Sequence, residues 1–485
     1  MTLNYRVLIF LFVLAGSTSC KKDFFNLAPY NSIPLGQALS TEGDLNIASN
    51  GMYQGMRNFN LYGRTLPIKG DLMADNVYLK AGNSGRYLAF RDYNQTAANT
   101  EANDTWNAAY DVIKRANTII NATIPASKNV DELKGQAYAV RALMSFELVR
   151  NYAKPYTVDP NALGIPIVTT FDQNALPVRN TVKEVYTQII SDLNQAFTLM
   201  LLNIGQSIVI TSTNTTKVLN SSYFTKYAAK ALLARVYQHM GDWANAKDAA
   251  LQVINNGTFN LVESTAYVSY WKNPAPSTNR IETMFEITSD NGGNNSFNSL
   301  SNFYDLAGYG DAWVTNELYN TYGANDIRRQ VILVNTTVSS GNTVYLNNKY
   351  SNTTNAADKD DTKVLRYADV ILILAEAYAN LDDANALVRL NEVAKKRDAT
   401  FIGYASTGAQ LKNDIITERR KEFAFEGYRY WDLMRLNLPI PNHTKSQLPT
   451  VLFPIEITDI HRLFPIPQAE LDANPNIRPQ QNQGY

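Results

Sequence analysis

The chain is 485 residues long, enough for one large domain or up to about three smaller ones. Its 44 basic and 44 acidic residues cancel, so no basic field points to a nucleic-acid partner. Cys20 is the single cysteine, which excludes an intramolecular disulfide and any cysteine-built metal site.

Residues 1–19 read as an address. Arg6 supplies a short basic region, and residues 7–16 (VLIFLFVLAG) form an apolar run. That run falls well short of the ~20 apolar residues a spanning helix needs, so it reads as a cleaved signal peptide. Ser17, Thr18 and Ser19 then lead into Cys20. The arrangement resembles a lipobox, which implies cleavage before Cys20 and a lipid on its thiol, although Ser17 stands where that pattern prefers Leu. Acyl chains at ~0.8 kcal/mol per buried methylene anchor a protein to a membrane. Residues 20–40 mix charges, aromatics and prolines without a period and read as an extended arm laid down through Phe24, Phe25 and Leu27.

Residues 41–260 read as a helical region. Leu45, Ala48, Met52 and Met56 recur at helical spacing, as do Trp106, Tyr110, Ile113, Asn117 and Ile120. Asn117 in that face reads as a satisfied core amide. Further helices are expected over 130–152 and 182–199. Residues 224–255 read as a helix pair turning at Met240, Gly241 and Asp242, with Ala234, Ala246 and Ala249 allowing close approach. Between the first helices, residues 71–96 are rich in Gly, Asn and Tyr and read as a loop. Asn76, Tyr78 and Tyr87 are its binding candidates.

Residues 261–365 change character and read as a loop-rich insertion. A strand is expected at 284–287, a short helix over 313–322 and a hairpin over 331–350. Trp271, Phe303, Tyr304, Tyr309 and Trp313 sit among Asn and Asp there. Sugars offer a C–H face to aromatic rings and hydroxyls to polar side chains, so this cluster reads as a ligand site. The alternative is that the rings only glue loops to helices.

Residues 366–485 close the chain. A second helix pair is expected over 367–396, its Ala375 and Tyr378 repeating the spacing of Ala234 and Tyr237. The two copies are far apart in sequence, which argues against a regular solenoid. In and just before 418–437, Ile416, Phe423, Gly427, Trp431 and Met434 fit one helical stripe. Glu418, Glu422 and Glu426 form a second stripe, expected to be buried and paired, with Arg419 and Arg429 as partners.

The stretch ERRKEFAFEGYRYWDLMRLN, the helix opening Arg366-Tyr-Ala-Asp-Val and the ending with Pro465, Pro467, Glu470, Asn474 and Pro475 resemble the SusD/RagB family of Bacteroidetes outer-membrane lipoproteins. The resemblance implies a mostly α fold of tetratricopeptide-type helix pairs with an irregular lobe and a few short strands. It also implies a surface-exposed, lipid-anchored protein of the outer membrane that binds oligosaccharide. Delivery would be to a SusC-like TonB-dependent transporter, with peptide capture as the alternative. Catalysis is not expected: His239, His443 and His461 are scattered, and no phosphate loop or nucleophile motif occurs, although a carboxylate pair of a glycan-degrading enzyme leaves no sequence signature. No cofactor is expected, and the sequence leaves a bound cation such as calcium open.

Overall fold

Two of the long helices open on capping boxes. In the computed structural model, which describes residues 39–290, 293–339, 341–352, 360–441 and 454–485, α1 (Glu42–Met56) begins at a capping box. Thr41 accepts the Asp44 N–H while the Asp44 carboxylate accepts the Thr41 N–H. Next come α2 (Thr65–Leu72), β1 (Val77–Leu79), α3 (Leu88–Asp92), α4 (Thr100–Ile120) and α5 (Lys128–Tyr152). A second capping box, Thr181 with Glu184, starts α6 (Val182–Leu199). A hairpin of β2 (Ser207–Ile210) and β3 (Thr215–Val218) leads to α7 (Lys226–Met240) and α8 (Trp243–Asn256). The turn between those helices needs a left-handed residue, supplied by Gly241 at φ 72°.

The lobe that follows carries α9 (Tyr267–Lys272), β4 (Thr283–Ile287), α10 (Leu300–Tyr304), β5 (Ala312–Val314), α11 (Asn316–Tyr319), β6 (Ile332–Asn335), β7 (Val344–Asn347) and β8 (Thr362–Arg366). The chain closes with α12 (Tyr367–Asn380), α13 (Asn385–Arg397), α14 (Gly408–Glu422), α15 (Arg429–Arg435) and α16 (Gln468–Ala473). The architecture is the mostly α one expected, helix pairs with a few short strands.

Helices stack in chain order: α1 on α4, α4 on α5, α5 on α6, α6 on α7, α7 on α8. The stack then continues from α8 straight onto α12, skipping the lobe. The two helix pairs therefore lie side by side in space while the lobe is inserted between them in sequence, in keeping with pairs that do not form a regular tandem solenoid. The lobe can be skipped because its ends are tied together: β4 pairs antiparallel with β8, Thr283 opposite Arg366. The interface is built from small residues, with Ala246, Ala249 and Ala250 of α8 and Ala368 and Ala375 of α12 all buried. Asn117 is a satisfied core amide, donating to the Val168 carbonyl at 2.9 Å and accepting from Arg141 at 2.9 Å.

A four-stranded sheet runs β1-β5-β7-β6, with Tyr78 opposite Trp313 and Val314 opposite Tyr345. Residues 71–96 are thus not a plain loop, since β1 and α3 lie within them. Residues 313–322 are not one helix either; they split into the end of β5 and α11 because β5 is claimed by its neighbours in the sheet. The strand at 284–287 and the hairpin of β6 with β7 stand where the sequence placed them.

The single stripe read through 418–437 is also broken. α14 ends at Glu422 and α15 starts at Arg429, with Phe425 and Gly427 at φ 72° and 79° between them. Asp71 of α2 accepts the Phe425 and Gly427 N–H groups at 3.1 and 2.8 Å, which fixes the turn. The backbones approach so closely there that a Cβ on Gly70 would lie 2.0 Å from the Gly427 carbonyl oxygen.

Candidate functional site

The densest chemistry in the molecule is a buried ionic seam. Arg366, fully buried, reaches Glu426 at 2.7 Å and Glu282 and Glu422 at 2.8 Å. Arg397 meets Glu282 and Glu422 at 3.0 Å, and Arg328 meets Glu418 at 2.6 Å, Asp326 at 2.7 Å and Glu422 at 3.1 Å. Lys349 joins Glu426 at 2.9 Å. Burial by itself would raise the Glu422 carboxyl, but the guanidiniums of Arg397, Arg366 and Arg328 hold it well below the usual carboxylate range. Glu418 is lowered too: burial again opposes, and Arg328 and Lys421 prevail. Carboxylates so held are poor proton donors, and the seam serves shape.

The glutamates are buried and paired as expected, but neither Arg419 nor Arg429 is their partner; apart from Lys421 on Glu418, their cations come from distant segments. Arg419 instead pairs with Asp369 and Asp432 at 2.8 and 3.0 Å, and Arg429 with Asp75 at 2.7 Å.

Six of the eight ligand candidates are packed inside. Trp271 is 2% exposed, wedged against Tyr350 with the Lys349 ammonium 4.4 Å from its ring. Phe303 and Tyr304 are fully buried, and the Tyr87 hydroxyl is held by Arg64 at 2.8 Å with its ring against Phe90 and Phe303. Asn76 is a buried connector that donates to Asp71 at 2.7 Å and accepts from Arg420 at 3.0 Å. Trp313, 9% exposed, donates its Nε1–H to the Gly310 carbonyl at 3.1 Å and sits edge-on to Tyr78 at 6.2 Å. These six side chains have no free surface to offer a ligand, because the lobe uses its large rings to fill its own irregular core.

Tyr78 and Tyr309 alone among the eight are half-buried. Around Tyr309 two loops lock together. The Arg86 guanidinium lies 4.0 Å from the Tyr309 ring centre and donates to its hydroxyl at 2.9 Å. Lys80 donates to the Tyr309 carbonyl at 3.1 Å, and the Ser84 backbone N–H donates to buried Asp311 at 3.0 Å. Asn83 ties the turn by donating to the Lys80 carbonyl at 2.8 Å and accepting the Gly85 N–H at 2.9 Å. Gly82 and Gly85, at φ 67° and 82°, give the turn its left-handed positions.

The result is a stacked cation and ring at the surface, flanked by Lys80, Asn83 and Ser84, all positioned by backbone. Sequence reasoning missed Lys80, Asn83, Ser84 and Arg86. The signal was present in Lys80-Ala-Gly-Asn-Ser-Gly-Arg86, a turn framed by two cations.

Of the histidines, His239 is buried and pushed well below its ordinary value, by burial first and nearby guanidiniums second. His461 bonds Asp459, and His443 lies outside the described residues. Cys20, the signal segment and the arm up to residue 38 lie outside them too. Among the described residues no helix is long and apolar enough to cross a membrane, and no group of three His, Cys, Asp or Glu residues is placed to hold a metal.

Fold and site together define a helix-pair scaffold that presents a loop-borne candidate face at its surface. Residues 23–238 match the family described as starch-binding associating with outer membrane, and residues 324–485 match the SusD family. The chain is 27% identical to SusD-like protein P2 of Formosa agariphila, covering 99% of this chain and 100% of that one. It is 23% identical to a SusD-like protein of Bacteroides ovatus, covering 86% and 79% respectively. A SusD superfamily structure from Bacteroides vulgatus superposes with a TM-score of 0.81 at 28% identity over 92% of this chain and 99% of that one. Another from Bacteroides thetaiotaomicron gives 0.77 at 27% over 91% and 99%. The chain belongs to the SusD/RagB family.

Proposed function

We propose that this protein captures oligosaccharide at the bacterial outer membrane and passes it to a SusC-like TonB-dependent transporter without turning it over. The observation that carries the reading is the Arg86/Tyr309 pair. A ring backed by a guanidinium offers a sugar C–H face a platform, and neighbouring Lys80 and Asn83 offer donors to its hydroxyls. The match of residues 23–238 to a starch-binding, outer-membrane-associated family supports the same class of ligand. Binding without chemistry is supported by the seam, where Glu418 and Glu422 are held ionised by arginines. No cofactor is invoked. The helix pairs are the proposed transporter-facing surface, and lipid on Cys20 is the proposed anchor. Labelling with palmitate, lost in Cys20→Ala, tests that anchor.

The ligand assignment is tested by calorimetry of the mature protein with a panel of oligosaccharides and peptides. Saturable heat with one sugar class, abolished by Arg86→Ala, is the expected result. Heat that continues without saturating signals turnover and overturns the binding-only reading. Binding of peptides alone moves the ligand class and leaves the family untouched.

A further inference from the structure

A cavity of about 620 Å³ opens beyond the C-terminal end of α5, between residues 434–437, residues 457–463 and the chain's last residues. Its volume is that of a small-molecule site. Lys154, Arg179 and Arg462 line it against two carboxylates, Asp159 and Asp459, leaving a positive excess.

The two arginines differ from those of the seam. Arg179 is 4% exposed and spends its guanidinium on the oxygens of Tyr152, Leu163, Gly164, Gln480 and Asn482. Among the described residues no carboxylate pairs with it, and burial pushes it down to about 10. Arg462, also 4% exposed, donates from Nη2 to the Leu438 carbonyl at 2.8 Å. Its Nε is buried with no partner among the described residues. Buried guanidinium N–H groups are seldom left so, and a carboxylate is the acceptor that matches them best.

The remainder of the lining mixes aliphatic side chains with the polar Asn437, Thr458, Gln481, Asn482 and Gln483. Val158, Leu163, Ile457 and Ile460 keep 38–45% of their surface exposed around it, and no aromatic ring contributes. A sugar would find nothing to stack on here.

We propose that this cavity is a second binding site, separate from the Arg86/Tyr309 face, for an aliphatic carboxylate. The anionic head would meet the Arg462 guanidinium within the field of Arg179 and Lys154, and the apolar body would cover the aliphatic rim. A peptide C-terminus and a fatty acid share this chemistry.

The test titrates the mature protein with a tripeptide of alanine and leucine as free acid and as C-terminal amide, with octanoate and octanol, and with galacturonate. Saturable binding of the free-acid tripeptide, of octanoate or of both supports the site and fixes the source. The amide and the alcohol are expected to bind at least tenfold more weakly. Arg462→Gln lowers carboxylate affinity at least tenfold and leaves oligosaccharide binding unchanged. Val158→Asp, on the exposed rim, gives the same loss and keeps the test readable if Arg462→Gln does not fold. Equal binding of acid and amide, binding of galacturonate in place of the aliphatic acids, or no binding of any probe overturns the proposal. Loss of oligosaccharide binding in a folded Arg462→Gln protein overturns the separation of the two sites.

Discussion

The ionic seam and the Arg86 face use the same residue types to opposite ends. In the seam, Arg366 meets Glu282, Glu422 and Glu426 with every partner out of reach of water. At the face, Arg86 meets no carboxylate among the described residues and lies on a half-buried ring. Charges that satisfy one another in the interior hold elements together and have nothing left for a ligand. A cation held by a ring at the surface is positioned yet keeps donors free. The seam ties the lobe to the closing helices, and the face is what that rigidity presents.

The comparison is broken most severely by Glu422→Ala, which strands Arg328, Arg366 and Arg397 without their common acceptor. A loss of about 3–5 kcal/mol is expected, read as a lower urea midpoint. Gly70→Ala comes next. Its methyl would meet the Gly427 carbonyl, and relieving that overlap costs about 1–3 kcal/mol, seen as a lower melting temperature.

Glu132 gives a pH test of burial where desolvation outweighs the nearest cation, Lys226. It is 2% exposed, and burial pushes its carboxyl up to about 7 despite the Leu201 and Leu202 N–H groups it accepts. Its folded value lies above the ordinary 4.5, so its contribution is fully present below about pH 4.5 and is lost as pH rises through about 7. Glu132→Gln keeps an acceptor for both N–H groups and removes the charge. Denaturant curves should coincide near pH 4, with Gln more stable by about 3 kcal/mol at pH 8. The smallest stability effect belongs to Tyr309→Ala at the face, within about 0.5 kcal/mol in a thermal melt.

Local chemistry was legible. The helices over 130–152 and 182–199 and the turn at Gly241 follow from period, capping and a left-handed glycine, each contained within a few residues. The hairpin of β6 and β7 was legible for the same reason. Partnerships across the chain were not. Glu422 carries no mark that its cations are Arg328, Arg366 and Arg397, and the turn that splits α14 from α15 is dictated by Asp71, hundreds of residues upstream. The candidate site was half-legible. Tyr78 and Tyr309 reach the surface, while Trp271, Phe303 and Tyr304 fill the core, and only packing separates the two sets. An irregular lobe has no period from which inside and outside can be told.

The account's central claim is that recognition belongs to the Arg86/Tyr309 face and that Trp271 belongs to the scaffold. Calorimetry of an oligosaccharide that binds the unaltered protein, repeated on Tyr309→Ala and Trp271→Phe, tests it most directly. Tyr309→Ala should melt like the parent and lose at least tenfold in affinity, whereas Trp271→Phe should melt earlier and bind as before. Undiminished binding by Tyr309→Ala, with binding lost in a folded Trp271→Phe protein, would contradict it.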